Sequence, residues 1–209
     1  MSVPGVSLQL SDGRQAAGYE DELIALHAEV YGEPVDVSPD DRHGFARRLR
    51  VWRRQPGFAL ATAHHGGYLI GYACGMTLRP STDWWRDLTT PLPESVTAEH
   101  PARTFALTGL AVRASWRRQG IAWSLYDLVM SGRAEERATL TVPPDARAAQ
   151  QAFRNWGWSK IARTRGPGPE TPVLDVLLLP LPVVPRAWLS CGNAVWECHT
   201  KPPESQRAR

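Results

Sequence analysis

The chain has 209 residues, 43% of them hydrophobic and 22% charged, with a formal net charge of +3 and a pI near 9.0. That length suits one domain with a sizeable core and short appendages. No apolar run approaches the roughly 20 residues of a membrane span, three cysteines (Cys74, Cys191, Cys198) give no disulfide framework, and so mild a charge does not by itself point to nucleic acid, although it suits a ligand with several phosphates.

The opening MSVPGVSLQLSDGRQ lacks a basic segment followed by an apolar one, so a cytoplasmic location is expected. Val6 to Leu10 is a short strand candidate. Asp21 to Tyr31 reads as a helix with Leu23, Leu26, His27 and Val30 on one face and Gly32 as its stop. His27 lies on that apolar stripe and reads as a packed, hydrogen-bonded histidine rather than a catalyst. Ser38-Pro39-Asp40-Asp41 is a helix start, with Ser38 able to cap and Pro39 suited to the first helical position. Phe45, Leu49 and Trp52 mark its buried face. Arg42, Arg47, Arg48, Arg50, Arg53 and Arg54 lie on the other, read as a solvated face over a nucleic-acid surface because no aromatics are interleaved.

Phe58–His64 and Tyr68–Leu78 are strands of a hairpin turning at His65-Gly66-Gly67. Arg79 to Thr104 is irregular and holds four prolines and the Trp84-Trp85 pair. A connection of this length inside a compact domain is usually functional or disordered, and adjacent tryptophans argue for the former. Phe105 to Val112 is an apolar strand. Ala138 to Val142 is a short strand, and Pro143-Pro144-Asp145 opens a helix with Phe153 and Trp156 on its apolar face and Gly157 as stop. Trp158–Thr164 and Val173–Leu179 are strands, the latter central. Residues 181–209 are rich in proline and polar groups and read as an irregular or disordered extension of a domain spanning 1–180. Cys191, Cys198 and His199 do not have zinc spacing, so no metal is expected.

The chain is organised around FALTGLAVRASWRRQGIAWSLYDLVM, from Phe105 to Met130. A strand runs into a basic, glycine-containing turn and then into an amphipathic helix with Ile121, Leu125, Leu128 and Val129 on one side. The first turn of a helix has unpaired N–H groups and partial positive charge. Gly120 would let a ligand approach that backbone closely, and Arg117 and Arg118 add charge. The result suits a pyrophosphate; the same residues also suit a surface turn with solvated arginines.

Arg117-Arg118-Gln119-Gly120-Ile121-Ala122 matches the Q/R-x-x-G-x-G/A signature and resembles the GNAT N-acetyltransferase superfamily, with Leu110-Ala111-Val112 similar to its acetyl-CoA strand. The element order also matches, over roughly residues 20 to 180. The resemblance implies an α/β fold of GNAT type: a mixed, mostly antiparallel sheet of about six to seven strands flanked by four helices. It implies that Leu110, Ala111 and Val112 hold the pantetheine arm through backbone, and that Arg117, Arg118, Gln119, Gly120, Ile121, Ala122 and Trp123 wrap the pyrophosphate. Phe153 falls at a further position lining the acyl-CoA cleft. The implied reaction is direct transfer of an acetyl group from acetyl-CoA to a primary amine of a small molecule or protein, with no metal and no membrane; a homodimer is compatible with the pattern.

Two positions depart from the family. Gly109 stands where members commonly carry a glutamate, and Phe153 stands where they commonly carry a tyrosine. The acetyl-CoA platform is kept while two acid/base positions are vacant, so no catalytic residue is assigned. The rival expectation is a catalytically weak acyl-CoA-binding protein acting as sensor or sequestering module. Glu29, Glu33, Asp83, Glu94, Glu99 and His100 are the remaining candidates on the acceptor side. Cys74, in an apolar strand, reads as a neutral core thiol rather than a nucleophile.

Overall fold

The computed structural model describes residues 3–31, 40–165 and 172–181, the side chains of residues 40–43 excepted. The strands are β1 Val6–Ser11, β2 Ala59–His65, β3 Tyr68–Thr77, β4 Thr104–Val112, β5 Arg137–Val142, β6 Ser159–Arg165 and β7 Val173–Pro180. The helices are α1 Glu20–Tyr31, α2 Asp40–Trp52, α3 Glu94–Thr97, α4 Ile121–Met130 and α5 Arg147–Asn155, with short 3-10 turns at Gln15–Tyr19 and Ala114–Trp116. The four expected helices are thus present, and the one-turn α3 is an addition. The expected caps Ser38 and Pro39, and residues 182–209, lie outside the described residues. α5 begins two residues after Asp145, because Ala146 has a non-helical backbone (φ −72°, ψ 65°) behind the two prolines.

The seven strands form one sheet in the order β1-β2-β3-β4-β5-β7-β6, antiparallel except where β4 meets β5. β7 therefore lies one strand in from the edge. Period-two alternation gives the sheet two apolar faces. One packs Ala61, Ala63, Ile70 and Ala73 under Ile121, Leu125 and Val129 of α4. The other packs Leu60, Leu69, Tyr72 and Cys74 under Leu23 and Leu26 of α1 and Phe45 and Leu49 of α2. Each helix contributes the residues that its sequence spacing put on one side.

The long β3–β4 connection is ordered as a strap. Thr89 N donates to Arg163 O (2.8 Å) and Arg165 N to Asp87 O (2.9 Å), so Asp87–Thr89 lies along the outer edge of β6. Trp84 Nε1 donates to Thr139 Oγ1 (3.3 Å), which places the strap across β5. Glu99 accepts from Trp85 Nε1 (2.9 Å), Thr104 Oγ1 (2.8 Å) and Arg137 (3.0 Å). That buried carboxylate pins the strap to the start of β4, and the strap covers a sheet edge otherwise open to pairing.

Candidate functional site

The site is built where β4 and β5 stop being neighbours. Parallel pairing holds only for Thr104↔Arg137, Phe105↔Ala138 and Ala106↔Thr139. A bulge in β4 lies just beyond: Gly109 faces Cys74 and Leu107 faces Gly75, so Thr108 is the extra residue. From Leu107 onward β4 stays with β3, β5 turns toward β7, and a wedge opens between them.

Arg113 N donates to Ile70 O (2.9 Å). Antiparallel alternation then turns the polar backbone groups of Ala111 and Gly109 toward β3, and those of Leu110 and Val112 away from it, into the wedge. Two side chains reach those carbonyls. Tyr31 Oη donates to Leu110 O (2.8 Å), and Arg117 Nε donates to Val112 O (3.0 Å). Of the predicted strand positions, Leu110 and Val112 turn their backbone groups into the opening, while Ala111 pairs with Tyr72 on β3 and is buried.

At the wedge mouth the chain makes the basic turn. Arg118 has φ +66° and Gly120 φ +83°. A left-handed arginine costs on the order of 1–3 kcal/mol. Gly120 is the N-cap of α4, and no side-chain hydrogen bond caps that helix. The N–H groups of Ile121, Ala122 and Trp123 thus begin the helix beyond a residue with no side chain, in a turn whose Arg117, Arg118, Gln119 and Gly120 are all exposed. A Cβ on Gly120 would meet nothing within 4 Å. The turn is open, positive and rich in unpaired N–H groups, an arrangement that favours an anion.

Trp123 leads from this turn into an aromatic stack. Its ring lies 5.4 Å from those of Tyr126 and Trp156, and Tyr126 stacks on Trp156 at 4.5 Å. Phe153 is 7% exposed and sits edge-on to Trp156 (5.5 Å) and Trp158 (5.9 Å). Phe153 thus joins the helix α4 start through shared aromatic packing. The Tyr126 hydroxyl accepts from Trp158 Nε1 (3.1 Å), and burial pushes its pKa up to about 12.

On the α1 face of β4 the space beside Gly109 is filled. A Cβ there would come 2.9 Å from the Tyr72 ring, 3.1 Å from Cys74 Sγ and 3.5 Å from Tyr72 Oη. Tyr72 is 1% exposed and its hydroxyl pairs with His27 Nδ1 (2.9 Å). His27 stacks flat on Phe45 (3.8 Å, 5°), the packed histidine its position suggested. Burial raises the Tyr72 phenol well above its usual range and pushes the Cys74 thiol up to about 12, so both stay protonated at neutral pH. Cys74 is the neutral core thiol its strand implied.

Four of the other candidates hold structural partners. Glu29 pairs with Arg113, Asp83 with Arg86 and His100 with Glu136 (3.1 Å). Glu99 is the strap anchor, Glu94 opens α3, and Glu33 lies outside the described residues. Among the described residues no group of three or more His, Cys, Asp or Glu is arranged to hold a metal ion, and no helix is long and apolar enough to cross a membrane. Sequence reasoning passed over Tyr31 and Tyr72. The available signal for Tyr31 was its spacing, one helical turn after His27.

Comparison with known proteins agrees with this fold. The family model of the GNAT acetyltransferase family matches residues 21–158. No curated protein sequence matches the chain. Among solved structures, the ribosomal-protein-S18-alanine N-acetyltransferase from Escherichia coli is 13% identical, with a TM-score of 0.57 over 83% of this chain and 94% of that one. A GNAT family acetyltransferase from Elizabethkingia anophelis with acetyl-CoA bound is 11% identical, with a TM-score of 0.53 over 86% of this chain and 100% of that one. An acetyltransferase from Streptococcus agalactiae gives 10% identity and a TM-score of 0.59 over 86% and 100%. At such identities the structures speak for the fold. The family match covers more than half of the chain and takes in the splayed strand, the basic turn and α4, so the chain belongs to the GNAT acetyltransferase family.

Proposed function

We propose that the protein transfers an acetyl group from acetyl-CoA to a primary amine of a small molecule or protein, by direct attack within a ternary complex. The observation that carries this reading is the wedge. β4 and β5 part after three paired residues, and the wedge mouth is a helix N-terminus with an uncapped, left-handed glycine. The donor's arm fits that gap because Leu110 and Val112 turn amide groups into it, as a neighbouring strand would require. Its pyrophosphate fits the N–H groups of residues 121–123, with Arg117 and Arg118 alongside. The thioester then lies by the bulge, facing the α1 side, where the strap and α1 flank β4.

A primary amine has a pKa near 10.4 in its lysine form, so it must lose a proton before attack. Nitrogen bonds to the acyl carbon, the carbon–sulfur bond breaks, and the electron pair leaves on sulfur. A β4 N–H at the bulge is suited to receive the developing oxyanion.

Gly109 with its space filled by Tyr72, and Phe153 in an apolar stack, favour a second reading: a weakly catalytic protein that binds acyl-CoA to sense or sequester it. Thiol release from acetyl-CoA across a panel of amines, beside calorimetric titration with acetyl-CoA, separates the two. Binding with amine-dependent release supports transfer. Binding with no release from any amine supports the second reading, and no binding refutes both.

A further inference from the structure

Tyr31 is the last residue of α1, and its surroundings set it apart from the protein's other tyrosines near β4 and α5. Tyr72 and Tyr126 are each 1% exposed, with hydroxyls engaged by His27 and Trp158 inside the two cores. Tyr31 is 51% exposed, yet its hydroxyl is turned inward onto Leu110 O (2.8 Å). Leu110 is a wedge residue, two positions in from the mouth residue Val112 and three short of the apex at Leu107. At about 3.3 Å per strand residue the hydroxyl stands some 10 Å from the apex, along the path of the acyl donor's arm.

We propose that Tyr31 is the catalytic acid of the acetyl transfer proposed above, supplying the proton that Phe153 has no hydroxyl to give. The inference rests on that reading of the wedge. When the donor arm occupies the β4 edge and takes the Leu110 carbonyl, the phenol is displaced along β4 toward the bulge, where the departing sulfur lies. As the carbon–sulfur bond breaks, the electron pair stays on sulfur and the Tyr31 proton moves to it, giving free thiol. The phenolate takes a proton back from water, and the proton shed by the amine goes to solvent, so the net reaction is amine plus thioester giving amide plus thiol.

The neighbourhood suits this role. Burial of the hydroxyl end raises the Tyr31 pKa, Cys74 adds to the rise, and the positive charge of Arg117 opposes it. The group is therefore a full proton donor at neutral pH. The titratable or charged groups around it are His27 on α1 (ring centroids 4.8 Å apart), Tyr72 and Cys74 on β3, Arg48 on α2 acting on Tyr72, and Arg117 at the mouth. Cys74 and Tyr72 are protonated at neutral pH, and comparison of wild type with Tyr31→Phe isolates the part of any alkaline change in rate that belongs to Tyr31.

The test is Tyr31→Phe in the full chain, with acetyl-CoA and an amine that the wild type acetylates. The ring is half exposed, so the variant is expected to fold, and its melting curve checks this. Removing a general acid is expected to lower kcat by about 10²–10⁴-fold, with acetyl-CoA affinity by calorimetry within about threefold of wild type. An alkaline fall in kcat is expected for wild type and is expected to be reduced in the variant. Unchanged kcat overturns the inference, as does a loss of rate matched by an equal loss of acetyl-CoA affinity, which marks a binding contact only. If wild type binds acetyl-CoA but acetylates no amine, the functional reading falls first and the inference with it.

Discussion

Gly120 offers the sharpest test of the anion cradle, because the structure separates conformational strain from charge. The residue has φ +83° and ψ −4°, and an added Cβ would meet no atom within 4 Å. Gly120→Ala therefore introduces no clash. It costs only the left-handed backbone of a residue with a side chain, about 1–2 kcal/mol. For a domain of this size that lowers the melting temperature by roughly 2–8 °C. Gly120→Glu carries the same strain and adds a negative charge. If a phosphate sits on the N–H groups of residues 121–123, the carboxylate lies about 5 Å from it. Two unit charges at that distance repel by about 1–3 kcal/mol for an effective dielectric between 80 and 20. That corresponds to roughly fivefold to two-hundredfold weaker binding. The assay is calorimetric titration of wild type and both variants with CoA, repeated at higher salt, beside a thermal melt. Expected are similar melting temperatures for the two variants, CoA affinity within about threefold of wild type for Ala, and a clear loss for Glu that shrinks as salt rises. Equal affinity for Glu and Ala, with the melts shifted alike, would place the phosphates elsewhere and refute the reasoning.

At Gly109, alanine is expected to destabilise the fold by about 1–3 kcal/mol through overpacking, since its Cβ would lie 2.9 Å from the Tyr72 ring; denaturant midpoints check this, and a neutral result would show that Tyr72 moves freely. Trp84→Phe, which removes the bond to Thr139 Oγ1, is expected to change the acceptor KM while leaving CoA affinity unchanged; the opposite split would remove the strap from the acceptor side. Burial raises the Cys74 pKa from its ordinary value of 9.0 to about 12, so the folded state holds its proton more tightly. Its contribution is intact below about pH 9, and stability is lost as pH climbs from there towards 12. Denaturant melts from pH 8 to 11 are expected to fall, and Cys74→Ala, referenced to its own value at pH 8, is expected to show a shallower decline.

Much of the fold was legible in the residues themselves. The apolar runs of β2 and β3, the period of α1 and α4, and the stops at Gly66-Gly67 and Gly157 reflect side chains that must leave water, on both faces of the strands and on one side of each helix. That constraint is local, and it identified the elements. The strand, turn and helix order around Gly120 was legible too, and the glycine's missing Cβ permits the left-handed backbone found there. Tertiary structure decided the rest. The parting of β4 from β5 depends on a bulge at Thr108 and on β7 entering beside β5, and no residue in β4 announces either. The strap follows β6 because Asp87 and Thr89 meet Arg163 and Arg165, partners more than 70 residues apart in the chain. Glu99 stood among the acceptor-side candidates in sequence and became an anchor only when Trp85, Thr104 and Arg137 converged on it. Gly109 is the clearest case. Its missing side chain reads as a vacancy in sequence, but folding fills that volume with Tyr72 from the adjacent strand and turns the hydroxyl toward His27. It also brings Tyr31 from the end of α1 to the open edge of β4. Which side chains share a few ångströms of space is fixed by strand order and helix packing, and a linear pattern carries neither.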